Sequence, residues 1–267
     1  MNCRIPIVSS LVIVLLVPWR ASANIAVLGG LTHERVALPG ESYGGTITIR
    51  NDGEEAEEVR IYPMDYLFFC DGTNEYGEPG GAPRSNAEWI ELSPRQITIP
   101  PHETVDVNYR LTVPLGNNLL GTYWCILMVE PVVDPLEAQK KEDGINIQVL
   151  MRYGIQVVTH IGETGIRQIK FLNIKILREK GRRVLKVDVE NIGERLLRPL
   201  VWVELYDEMG KHVGTYEGRT IRTYPGTSVR YTIDIDEVPV GTYKTLVVAD
   251  CGGDDIFGIN YTVQVKE

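Results

Sequence analysis

The side chains best suited to chemistry in this chain are four histidines, a group of aspartates around one cysteine, and a run of glutamates. His33, His102, His160 and His212 are scattered, and no two sit at the paired spacing that would bring both imidazoles to one metal ion. Neither His-Glu-x-x-His nor Gly-x-Ser-x-Gly occurs, so the zinc-hydrolase and serine-hydrolase arrangements are missing from the sequence. Asp250, Asp254 and Asp255 surround Cys251-Gly252-Gly253. A calcium ion takes about six to eight oxygens in a defined arrangement, so these carboxylates are read as a solvated turn. Glu54-Glu55-Ala56-Glu57-Glu58 reads in the same way, as the charged flank of a hairpin. No glycine-rich phosphate loop is present. The expectation is a protein that is not an enzyme, with no cofactor, no metal and no use of ATP.

Cysteine placement carries more information. Cys3 lies ahead of an apolar run from Ile5 to Pro18, which Arg4 precedes and Ala21-Ser22-Ala23 follows. A basic start, a short apolar core and a small-x-small site describe a secretory signal peptide over 1–23, with Asn24 as the first mature residue. The apolar run is shorter than the roughly 20 residues that a membrane-spanning helix needs, so the mature protein is expected not to span a membrane. Export permits disulfides. Cys70 and Cys125 fall in one predicted domain and are candidates for a bridge, with three buried thiols as the alternative reading; Cys251 is expected to stay free. Loss of Arg4 and Arg20 takes the net charge from −9 to about −11. Such a chain has no general electrostatic reason to bind nucleic acid or anionic lipid.

Period-two alternation dominates, and helical periodicity is nearly absent. Thr46-Ile47-Thr48-Ile49-Arg50 runs into the turn Asn51-Asp52-Gly53 and returns as Val59-Arg60-Ile61-Tyr62; Leu185 to Glu190 runs into Asn191-Ile192-Gly193 and returns through Leu200 to Leu205. Downstream, a Pro turn and an alternating strand lead in each half to Gly-Thr-Tyr, at Gly121-Thr122-Tyr123 and Gly241-Thr242-Tyr243. Tyr123 stands two residues before Cys125, as in the tyrosine corner of an immunoglobulin-type sandwich. The shared order predicts an all-β protein of two immunoglobulin-like sandwiches in tandem, at 24–162 and 163–267, angled about an interdomain cleft. The offset between the halves falls from about 140 residues at the Asn turns to about 120 at the tyrosines. An insertion is therefore placed at Asp71 to Asn86, read as an exposed loop. Thr159 to Gly165 has the composition of a hinge. Trp89, Trp124 and Trp202 are read as core.

One element exceeds what a small sandwich needs. After a charged segment from Asp134 to Gly144, read as a mobile loop, Ile145 to Val158 alternates without interruption. Ile145, Ile147, Val149, Met151, Tyr153, Ile155 and Val157 share one face; Leu150, Arg152, Gly154, Gln156 and Val158 share the other. A typical strand is only about five or six residues long. Two readings stay open: a core strand that continues into the hinge, or an edge strand offering its backbone to an incoming strand.

With this long strand, the loop before it and the segment Arg35-Val36-Ala37-Leu38-Pro39-Gly40, the chain resembles the periplasmic chaperones of chaperone–usher pili, as a divergent example. The resemblance implies an exported, ATP-independent chaperone-like protein in the periplasm, with a secreted or cell-surface location as the alternative. Its partners would be exported protein subunits of a pilus or the envelope, held by β-strand addition. In that family an arginine of the first strand and a lysine of the long strand grip the subunit's terminal carboxylate; Arg35 matches the first. The lysine position falls on Gln156, a departure, and Arg152 lies on the same face about 13 Å away. Ile147, Val149 and Leu150 are the implied strand-pairing residues. The alternative function is a non-catalytic structural, adhesion or binding module outside the cytoplasm.

Overall fold

The computed structural model describes residues 24–116, 118–132 and 150–266. The signal-peptide segment, Ile147 and Val149 lie outside them. The first half comprises β1 (Ile25–Leu28), β2 (Thr32–Ala37), β3 (Ser42–Asn51), β4 (Glu57–Phe68), β5 (Asn74–Gly77), a 3₁₀ turn (Ala87–Trp89), β6 (Ile90–Ser93), β7 (Gln96–Ile99), β8 (Thr104–Thr112), β9 (Gly121–Pro131) and β10 (Tyr153–Ile161). The second comprises β11 (Ile169–Glu179), β12 (Arg182–Asn191), β13 (Leu200–Tyr206), β14 (His212–Glu217), β15 (Ser228–Asp234), β16 (Gly241–Asp250) and β17 (Ile256–Val265).

These strands form two sandwiches. In the first, the sheet β1-β3-β8-β6 faces the sheet β2-β10-β9-β4, and β5 and β7 both pair with β4. In the second, β11-β12-β15 faces β14-β13-β16-β17. The alternation read from sequence decides what each face does. Ile47 and Ile49 of β3 turn inward onto Val107, Leu111, Leu127 and Val157, while Thr46 and Thr48 stay on the outer face, bonded to Asn108 and Asp106 of β8. Leu185, Val187, Val203, Tyr231 and Val247 play the inward part in the second core. Each fully buried aliphatic side chain contributes about 1.5–3 kcal/mol.

The two Asn-x-Gly turns are built alike. Asn51 Oδ1 accepts the Gly53 amide at 2.9 Å, and its Nδ2 donates to the carbonyls of Glu55 (2.7 Å) and Ile99 (3.0 Å). Asn191 Oδ1 accepts the Gly193 amide at 3.0 Å, and its Nδ2 donates to the carbonyls of Arg195 (2.7 Å) and Thr223 (2.8 Å). Both side chains are fully buried. Asparagine suits the position because its short amide closes a turn on its own backbone and still has donors for a second segment.

Several expectations change. The insertion is not an exposed loop throughout. β5 returns along β4, and the buried Asp65 carboxylate gathers the Ala82 amide (2.6 Å), the Gly80 amide (3.3 Å) and the Ser85 hydroxyl, because a buried charge must be hydrogen-bonded. Asn86, at its end, is fully buried and donates to Thr159 Oγ1 at 2.9 Å. Thr159, His160 and Ile161, read as hinge, belong to β10. Trp124 packs between the sandwiches with Val158, Leu196 and Tyr224, and only Trp89 borders the first core; Trp202 lies half-buried on an outer face. Cys70 and Cys125 are both free thiols. Met64 lies opposite Ile126, so Cys70, six residues beyond Met64, is displaced from Cys125 by roughly 15–20 Å along the strands, whereas a bridge needs Cα atoms within about 7 Å.

Candidate functional site: the interdomain cleft and the free side of β10

β10 has different neighbours along its length. It pairs with β9 over all nine residues, from Tyr153↔Val129 to Ile161↔Gly121. On its other side β2 runs parallel to it, but only from Gln156↔Thr32 to Ile161↔Ala37. The chain explains why. β1 belongs to the opposite sheet and crosses over through Gly29, Gly30 and Leu31, and the Gln156 amide bonds the Leu31 carbonyl at 2.9 Å as pairing begins. Gly29 has φ +89°, which favours glycine at the crossing. Among the described residues, Tyr153, Gly154 and Ile155 therefore pair on one side alone. The edge reading fits only this start of β10; from Gln156 onward β10 is an interior strand. Leu150 and Met151, just before it, are 41% and 45% exposed.

The pairing also fixes which faces meet. Gln156, Val158 and His160 share a face with Thr32, Glu34 and Val36, and that face turns to the second sandwich. Gln156 Oε1 accepts the Tyr224 hydroxyl at 2.8 Å and that of Thr32 at 3.3 Å. His160 Nε2 lies 2.8 Å from Glu34 Oε1, and its Nδ1 lies 2.9 Å from Thr122 Oγ1, which accepts the Leu196 amide at 2.9 Å. Arg198 pairs with the other Glu34 oxygen. Burial pulls the Glu34 carboxyl upward, but its bond to His160 and the Arg198 charge outweigh this and hold it below the usual range.

Arg35 is on the opposite face of β2 from Gln156, so the predicted pair does not converge in the cleft. It stands with His33, whose Nδ1 is 2.9 Å from the Tyr109 hydroxyl. Burial, and then the Arg35 charge, push the His33 pKa down. Arg152 does not reach the cleft either: its Nε lies 3.2 Å from Glu130, which Arg60 also holds. The cleft itself, about 500 Å³, is lined by Tyr66, Phe68, Gln156, Arg198, Ile221, Arg222 and Tyr224. Its cations thus come from the second sandwich. Arg222 is exposed and forms no ion pair among the described residues. Sequence reading missed Glu34, Arg198 and Arg222; the pairing parity of β2 on β10 would have found Glu34, but that pairing joins residues more than 120 apart.

The joint is held by backbone as much as by side chains. The Thr122 amide bonds the Glu194 carbonyl at 2.7 Å, and the Glu194 amide bonds the Ile166 carbonyl at 2.7 Å. Gly121 has φ +75°, and a Cβ there would overlap the Glu194 carbonyl oxygen. A Cβ on Gly165 would meet Gly121 Cα at 2.6 Å. Trp124 and Tyr224 stack beside these contacts with ring centroids 4.2 Å apart. Among the described residues no group of His, Cys, Asp and Glu is arranged to hold a metal ion, and no helix is long and apolar enough to cross a membrane.

No protein-family model matches the chain, and no curated protein matches it. Among solved structures the chain is similar to a chain of a chaperone–tip adhesin complex of CFA/I fimbriae biogenesis, at 12% identity over 91% of this chain and 100% of that one, with a TM-score of 0.48. It is similar to a chain of the CsuC–CsuE chaperone–tip adhesion subunit pre-assembly complex from archaic chaperone-usher Csu pili of Acinetobacter baumannii, at 14% identity over 89% and 98%, TM-score 0.44. It is also similar to the class 5 fimbriae chaperone CfaA, at 13% identity over 91% and 100%, TM-score 0.44.

Proposed function

We propose that this chain is an exported, ATP-independent chaperone that holds a secreted or pilus-type subunit by strand addition along the start of β10. The supporting observation is that, among the described residues, Tyr153, Gly154 and Ile155 pair on one side alone, with Leu150 and Met151 exposed beside them. A partner strand laid on that side gains main-chain hydrogen bonds, and its alternate side chains select it. Gln156 is the next residue along β10 and lines the cleft, so the partner's strand ends at the cleft mouth. There Arg222, beside Arg198, takes its terminal carboxylate; a planar guanidinium suits that bidentate contact. Arg35 is relieved of this role because it faces away. Arg152 steadies the start of the strand through Glu130.

Coexpression with exported proteins that end in an alternating apolar strand tests the reading. Such partners are expected to copurify, Arg222→Glu to lose them, and Arg35→Ala to keep them. Loss with Arg35→Ala and retention with Arg222→Glu overturns the anchor assignment. Recovery of polysaccharide in place of protein partners overturns the chaperone reading and favours a binding module.

A further inference from the structure

The net charge of −9 hides an uneven distribution. Residues 24–162 hold 20 acidic and 9 basic side chains, whereas residues 167–186 hold eight Lys and Arg against one acidic residue, Glu179. That stretch covers β11, its turn and the first half of β12; the whole hairpin, 169–191, holds seven Lys and Arg against Glu179, Asp188 and Glu190. Its tip extends past the neighbouring strand, since pairing with β15 stops at Val184↔Asp234. Some cations there are neutralised at home: Arg182 pairs with Asp234, Arg183 lies near Asp236, and Lys186 bonds Glu179. Lys175, Arg178 and Lys180 are exposed and form no ion pair among the described residues. Leu177, between two of them, is 40% exposed.

The turn adds a second observation. Glu179 pairs with Arg182, leaving Lys180-Gly181 as a two-residue turn, and Lys180 holds φ +49°. Asn, Asp or Gly suits that position far better than a lysine, which loses backbone stability there. A cation thus occupies the tip at a conformational cost. The three cations without an ion pair do not converge on one point: Lys175 is on the outer face, Arg178 on the opposite face and Lys180 at the apex.

The geometry points to the β11–β12 hairpin as a docking surface for an anionic bilayer, its cations among phospholipid headgroups and Leu177 at their boundary with the acyl chains. A single carboxylate or phosphate needs convergent donors. A fluid sheet of headgroups accepts cations that point several ways and also takes an apolar side chain between them. The acidic first sandwich is repelled from the same surface, which orients the molecule with the hairpin down. Whole-chain charge argued against anionic lipid; the hairpin reverses that locally.

Flotation of the full chain with vesicles tests this, comparing phosphatidylglycerol in phosphatidylcholine with phosphatidylcholine alone. Binding is expected only to the anionic vesicles and is expected to weaken with salt. Lys180→Asn relaxes the turn, so it leaves the melting temperature unchanged or raised while weakening vesicle binding about fivefold. Lys175→Glu/Arg178→Glu/Lys180→Glu abolishes binding, and Lys211→Glu/Lys244→Glu/Lys266→Glu, with the same change in net charge, retains it. Equal binding to both vesicle types, no binding, or equal loss in the two triple variants overturns the proposal. So does salt-sensitive self-association of the free chain that the hairpin variant abolishes, since the hairpin would then meet a second copy.

Discussion

Gly121-Thr122-Tyr123 and Gly241-Thr242-Tyr243 open equivalent strands, yet they do different work. In the second sandwich the tyrosine of the tripeptide looks inward, and Thr242 is exposed. The Tyr243 hydroxyl donates to the Pro239 carbonyl at 2.9 Å and closes a tyrosine corner within its own domain. In the first, Tyr123 packs on its own core against Trp89, but the glycine and threonine turn to the neighbour: Gly121 admits the Glu194 carbonyl, the Thr122 amide bonds it, and the Thr122 hydroxyl links Leu196 to His160. A repeated module becomes a two-domain body here without a new element, because backbone groups that one copy leaves at its rim are matched in the other.

The largest effect expected from breaking this comparison is at the glycines. Gly121→Ala forces a methyl group onto the Glu194 carbonyl at a positive φ and is expected to cost about 3 kcal/mol or more. Gly241→Ala, whose nearest neighbour would be the Tyr243 hydroxyl at 3.3 Å, is expected to cost about 1 kcal/mol or less. Denaturant titration of both variants measures the gap; equal losses would show that the first glycine has no special part in the joint. Next come the asparagines. Asn51→Ala and Asn191→Ala each strand buried carbonyls, at about 2–3 kcal/mol, but only Asn191→Ala should also loosen the joint through Arg195, whose guanidinium bonds the Thr164 carbonyl at 2.8 Å. Limited proteolysis between the sandwiches separates the two. The smallest effect is that of pH. His33 has a depressed pKa in the folded protein, so the unfolded chain binds the proton first and stability falls as pH drops below about 6.5. The Glu34 carboxyl is also depressed, and its contribution is lost at lower pH, through and below its ordinary value of about 4.3. Urea midpoints followed separately for each sandwich are expected to show the first responding earlier on acidification, and His33→Gln is expected to flatten the upper part of that response.

The features legible in the sequence were those that depend on near neighbours. Alternation in β3 and β8 names their buried residues directly, and both Asn-x-Gly turns are readable because the amide bonds a glycine two residues on. The candidate site was legible only as a long strand. Period two assigns faces but not neighbours, so nothing local shows that β2 lies parallel to β10 from Gln156 onward and that, among the described residues, Tyr153 to Ile155 pair on one side alone. The same gap moved Arg35 to the wrong face and hid Glu34 one residue away. Trp124 reads as core because burial between two domains leaves the same apolar signature as burial within one.

The parallel pairing of β2 on β10 also has a mechanical consequence. β10 is held on one side by nine residue pairs and on the other by six, and it leads directly into the linker. A pull along its axis from Tyr153 loads both ladders in shear, with hydrogen bonds lying across the direction of force and sharing it. Peeling would break them in turn. At its far end β10 pairs Ile161 with Gly121, so tension that the ladders transmit along this strand arrives beside the Gly121–Glu194 contact.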